Sequence, residues 1–110
     1  MAKILVVDDD MDVRELISIA LKTGGHEVIP ATNGEEAVAF TAKEKPDLVL
    51  LDMRLPLLGG FDACRMICTN PATKNIPVVF MTARGQIDEI RQGLEAGAAD
   101  YYVKPFALDA

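Results

Sequence analysis

Asp52 follows Leu48-Val49-Leu50-Leu51, an aliphatic run bounded by Pro46 and Pro56, and stands where a strand buried on both faces would end. Three more strand-like runs end in polar residues: Ile4–Val7 in Asp8-Asp9-Asp10, Pro77–Met81 in Thr82, and Ala99–Val103 in Lys104. A carboxylate on a rigid support can act as a nucleophile, and one that attacks phosphorus forms an acyl phosphate. Asp8, Asp9 and Asp52 in one crevice would repel one another unless a cation lay between them, and oxygen ligands that keep some water suit Mg²⁺. Lys104 would add positive charge beside incoming phosphoryl oxygens and Thr82 a hydroxyl hydrogen bond. Each residue also has an ordinary explanation. Asp52 could form a turn after its strand, the acidic run could be a helix start favoured by the dipole, Thr82 a helix cap, and Lys104 a surface lysine before a proline. Asp10 keeps that explanation in full; the joint placement of the others argues for a site.

The elements that must position these groups follow from periodicity. After the strand Lys3–Val7, Val13, Leu16, Ile17, Ala20 and Leu21 recur at helical spacing from Asp10 onward, with Gly24 as the stop. His26 to Pro30 reads as a weaker strand. Asn33 and Glu36 form a capping pair ahead of Ala37, Val38 and Phe40, and Pro46 ends that helix. Beyond the Asp52 strand, Phe61 to Cys68 forms a third helix, closed by Thr69-Asn70-Pro71. Pro77 to Met81 is the fourth strand. Ile87, Ile90, Leu94 and Ala98 mark a fourth helix ended by Gly97, and Ala99 to Val103 is the fifth strand. Five such alternations predict an α/β fold with a doubly wound parallel sheet covered on both faces. Strand two ends only in Pro30-Ala31. The order 2-1-3-4-5, borrowed from known doubly wound sheets, makes that strand an edge and brings the four polar ends together.

Composition narrows the function classes. The 110 residues make one domain, residues 1 to 110, and 50% apolar with 25% charged content is ordinary for a globular protein. A net charge of −6 argues against holding nucleic acid through a basic surface. The apolar run Ile4–Val7 is too short for a signal-peptide core or a membrane span, so the expected compartment is the cytoplasm. Cys64 and Cys68 have no partner pair to complete a zinc site and read as reduced packing residues.

Ile4-Leu5-Val6-Val7-Asp8-Asp9-Asp10, Leu50-Leu51-Asp52-Met53-Arg54-Leu55-Pro56, Met81-Thr82-Ala83 and Tyr102-Val103-Lys104-Pro105-Phe106 together resemble, in order and spacing, the receiver domain of bacterial two-component response regulators. The resemblance runs from residue 3 to the C-terminus and implies a flavodoxin-like fold. It implies that Asp52 is the phosphoacceptor, that Asp9, Asp52 and the backbone carbonyl of Arg54 bind Mg²⁺ directly, and that Asp8 acts through water. Thr82, with Ala83 beside it, and Lys104 match the residues that bind the phosphoryl group, and Tyr101 matches the aromatic switch. The Lys104-Pro105 peptide would be cis, as in the family. The implied partner is a histidine kinase or histidine phosphotransfer protein, and a homodimer or an effector domain outside this chain is compatible with the family. The implied switch moves the fourth helix and fifth strand, with an output surface from Gln86 to Val103. Such a domain catalyses its own phosphorylation and dephosphorylation without turning over a substrate as an enzyme does. By the same analogy Arg54 and Arg84 flank the path of the hydrolysing water and modulate the dephosphorylation rate.

Two departures stand out. Receiver domains usually carry a fifth helix after Lys-Pro-Phe, whereas this sequence stops at Ala110; a truncated final helix would uncover part of one sheet face. Gly59 stands where many relatives have an acid. The alternative function is a pseudo-receiver that serves only as a protein-interaction module, although intact Asp8, Asp9, Asp52, Thr82 and Lys104 favour the phosphorylatable form. An aspartate-nucleophile phosphatase would want an acid two residues after the nucleophile, where this chain has Arg54. A Rossmann or flavodoxin nucleotide site would want a phosphate-cradling loop after the first strand, where this chain has acids.

Overall fold

The computed structural model describes residues 1–53, 55, 58–82 and 87–103, and at 82, 87–89, 102 and 103 the backbone alone. Its elements are β1 (Lys3–Val7), α1 (Met11–Thr23), β2 (Glu27–Ala31), α2 (Gly34–Glu44), β3 (Leu48–Asp52), α3 (Gly60–Thr69), β4 (Val78–Thr82), α4 (Ile87–Glu95) and β5 (Asp100–Val103). The strands form one parallel sheet in the order β2-β1-β3-β4-β5. The expected fold class and strand order are both observed. The expected truncation of the final helix falls on residues outside those described, as do Lys104, Pro105 and Phe106.

The aliphatic strands are buried because alternate residues feed two cores. Leu5, Val7, Val49, Leu51, Val78 and Phe80 face one side, where they meet Ala37 of α2 and Ala63, Cys64 and Ile67 of α3. Ile4, Val6, Leu50, Val79 and Met81 face the other, where Ile17 of α1 packs with Val13 and Leu21 beside it. The spacing Val13-Ile17-Leu21 is one ridge of a helix and sets which face of α1 lies on the sheet. Leu16 and Ala20, expected on the apolar face, are exposed, Leu16 at 55%. They sit about a quarter turn or less off that ridge, and short apolar spacing alone could not tell ridge from flank.

Local chemistry fixes the boundaries. Asp10 caps α1 by accepting from the N–H groups of Asp12 and Val13, and Asn33 caps α2 by accepting from Glu36 N–H. Glu36 in turn accepts from Thr32 N–H at 2.7 Å and Thr32 Oγ1 at 2.6 Å. These two bonds hold the Glu36 carboxyl below its ordinary range; burial opposes them, and the Arg14 charge adds a lesser lowering. Gly24, the expected stop, is the C-cap of α1, and Gly25 after it takes the left-handed φ of +88°. α4 stops at Glu95, and Gly97, the expected stop, takes φ +110° in the turn that follows.

Candidate metal and phosphoryl-acceptor site

Parallel register decides which strand ends meet. Val7 of β1 lies opposite Leu51 of β3, so Asp8 and Asp52 are the next residues along neighbouring strands. Asp52 in turn lies opposite Met81 of β4, and Thr82 opposite Val103 of β5. The carboxyl ends of four strands therefore open on one crevice, the place where doubly wound sheets hold ligands. Of the proposed site residues beyond it, Arg54, Ala83, Arg84 and Lys104 lie outside the described residues, and Thr82 is described by its backbone alone.

Asp8, Asp9 and Asp52 each place a carboxylate oxygen within 4.8 Å of the other two. Asp8 is fully buried, Asp52 is 6% exposed, and Asp9 is open to solvent. At that spacing two carboxylate charges repel by about 3–4 kcal/mol at an effective dielectric of about 20. The set consists of hard oxygen donors with one solvent-facing side, which fits a divalent cation that retains water and gives no soft ligand for a transition metal. Asp10 is outside the cluster and spends its carboxylate on the helix cap.

Two residues that the sequence reading left out shape this end of the sheet. Arg14 donates from Nη1 to the Asp8 carbonyl at 2.8 Å. Gly60 opens α3 directly against the end of β3: a Cβ there would lie 2.6 Å from the Asp52 carbonyl oxygen and 2.7 Å from that of Met53. The signal for Gly60 is the Gly59-Gly60 pair after the acid, which marks a close backbone approach once the strand is placed. Arg14 carries no such signal, because an arginine on the first turns of an amphipathic helix reads as a solvated face.

Tyr101 sits on β5, 36% exposed, in a shallow groove with Ile90, Arg91, Leu94 and Glu95. Cys64 and Cys68 are free thiols with sulfurs 3.8 Å apart, and burial, then the neighbouring Cys68, pushes the Cys64 thiol up, so it stays protonated. No helix among the described residues is long and apolar enough to cross a membrane.

The response regulator receiver domain family matches residues 4–110. Among curated relatives, the chain is 43% identical over 104 residues to the phosphate regulon transcriptional regulatory protein PhoB of Pseudomonas aeruginosa, covering 94% of this chain and 45% of that protein. It is 39% identical to the DNA-binding dual master transcriptional regulator RpaA of Synechocystis, covering 99% of this chain and 45% of that protein. The chain thus spans about half the length of these relatives. Among solved structures, chemotaxis response regulator CheY4 of Vibrio cholerae superposes with a TM-score of 0.91 at 32% identity, covering 96% of this chain and 88% of that one. The receiver domain of sensor histidine kinase PA1611 from P. aeruginosa, which has a magnesium ion coordinated in its active-site cleft, gives 0.89 at 31% identity, covering 96% and 86%.

Proposed function

The chain belongs to the response regulator receiver domain family of two-component systems, and from that membership we propose that it takes a phosphoryl group on Asp52 and passes the change to the α4–β5 surface. The observation that carries this reading is the trio Asp8, Asp9 and Asp52, three carboxylates within 4.8 Å at the ends of adjacent strands, with Asp52 held on a buried one. Residues 1 to 110 act as one receiver domain, with any effector outside this chain. Its setting is the cytoplasm, where the donor, a histidine kinase or histidine phosphotransfer protein, presents phosphohistidine. The alternative, a pseudo-receiver that uses the same surfaces only for docking, is the reading that fails to phosphorylate.

In the transfer, an Asp52 carboxylate oxygen attacks phosphorus in line; the new O–P bond forms as the P–N bond of phosphohistidine breaks, and the imidazole leaves with the electron pair. Asp9, Asp52 and the backbone carbonyl of Arg54 would hold Mg²⁺ directly and Asp8 through water; when bound, the ion offsets the carboxylate repulsion and the charge of the phosphoryl oxygens. Lys104 pairs with one phosphoryl oxygen, and Thr82 and the Ala83 backbone N–H meet another. The movement of Thr82 toward the phosphoryl group opens space for Tyr101, which couples the crevice to the groove it shares with Ile90 and Leu94. Each event modifies the chain itself, so the domain is a switch and not a turnover enzyme.

Incubation with Mg²⁺ and acetyl phosphate, followed by intact mass, tests the reading. A gain of one phosphoryl group that disappears in Asp52→Asn is expected. No gain in the folded wild-type protein would favour the pseudo-receiver.

A further inference from the structure

Asp8 is the first residue past the paired part of β1, and contacts from several directions fasten it. Its N–H donates to the Ala31 carbonyl at 3.1 Å, its Oδ1 accepts from Asp10 N–H at 3.0 Å, and its carbonyl accepts from Arg14 Nη1 at 2.8 Å. The first two contacts are backbone donors or acceptors of the immediate loop and edge strand. The third is a half-buried side chain that reaches back from the second turn of α1. A trans peptide is planar, so its carbonyl and N–H point opposite ways; holding the Asp8 carbonyl fixes the whole plane between Asp8 and Asp9. The two carboxylates that share the crevice with Asp52 leave from the two ends of that plane.

We propose that Arg14 is a positioning residue for the divalent-cation site, its guanidinium holding the Asp8–Asp9 peptide so that both carboxylates face Asp52. This rests on the Mg²⁺ reading given above. Arg14 touches neither the ion nor the phosphoryl group. It acts as outer partners of metal ligands do, whose loss typically lowers affinity by about 10- to 100-fold. Lysine at this position can still place one charged donor near the carbonyl, whereas methionine keeps the length and loses every donor.

Mg²⁺ titration by calorimetry on wild type, Arg14→Met, Arg14→Lys, Leu21→Ala and Asp9→Asn tests the proposal. Leu21 packs against the sheet from the far end of α1, so its truncation loosens the same helix without touching the Asp8 peptide. Arg14→Met is expected to raise the Mg²⁺ dissociation constant roughly tenfold, Arg14→Lys to raise it less, and Leu21→Ala to leave it unchanged. Wild-type affinity in Arg14→Met, or an equal loss in Leu21→Ala, overturns the proposal while leaving the metal site intact. Wild-type protein that shows no saturable Mg²⁺ binding, or binding that survives Asp9→Asn, overturns the metal reading and this inference with it.

Discussion

Adjacent acids in the run Asp8-Asp9-Asp10 have three different surroundings: one is buried at the strand end, one faces the crevice, and one caps a helix. Substitutions should separate these roles. Asp10→Ala is expected to cost about 1 kcal/mol of stability through the lost cap and to leave Mg²⁺ affinity nearly unchanged. Asp9→Ala should instead weaken Mg²⁺ binding strongly and, by removing one of three clustered charges, stabilise the metal-free protein. Paired denaturation and Mg²⁺ titrations check both; equal losses of affinity would mean the acidic run is misplaced by one residue. Arg54 and Arg84 belong to the same scale. If their side chains obstruct the hydrolysing water or pair with the phosphoryl group, the phosphorylated form should decay faster in Arg54→Ala and Arg84→Ala and fastest in the double variant, with about 1.4 kcal/mol of barrier giving a tenfold rate. Unchanged decay would place the control of lifetime elsewhere.

Elements carry the lesson of what a sequence can show. The acidic ends of β1 and β3 were legible because a short aliphatic run followed by a polar residue is a strong pattern, and the pairing of those two strands sets Asp8 beside Asp52. The helices were legible in place but less so in facing, as the exposed Leu16 shows. Arg14 was not legible, since a side chain reaching a carbonyl six residues earlier exists only once the elements have packed; Gly60 left a signal in the Gly59-Gly60 pair, but what it approaches is readable only with β3 and α3 in place. The start of α3 offers a direct check. Gly59 is the N-cap of that helix, makes no side-chain cap bond, and has open space where a Cβ would go. Gly59→Asp should therefore stabilise the protein by about 0.5–1 kcal/mol, through a cap bond and a less flexible unfolded chain. Gly60→Ala, one residue later, should destabilise by about 1–3 kcal/mol and slow phosphorylation, because its methyl group collides with the Asp52 carbonyl. Urea denaturation of the two variants compares them; a Gly60→Ala protein as stable as wild type would contradict the close approach.

At the scale of the whole molecule, one sheet ties the crevice to the surface proposed as output. β4 carries Phe80 in its interior and Thr82 at its end, and Gly93 brings α4 down onto the Phe80 ring, where a Cβ would lie 2.8 Å from Cδ2. Phe80 cannot retreat freely, since it is buried and packed against Phe61 at a centroid distance of 5.5 Å. Gly93→Ala should thus lift α4 despite the gain in helix propensity, with a net cost of about 1–2 kcal/mol measurable by denaturation. Unaltered or increased stability would show that α4 can be reseated without strain. The position of the phosphoryl group decides whether Asp52 is the acceptor. After treatment with Mg²⁺ and acetyl phosphate, borohydride reduces an acyl phosphate to the alcohol, so the acceptor aspartate is read as homoserine by peptide mass spectrometry. Homoserine at position 52, and at no other acidic position, is the result predicted; conversion at Asp8 or Asp9, or a phosphoryl group that resists borohydride, would contradict it.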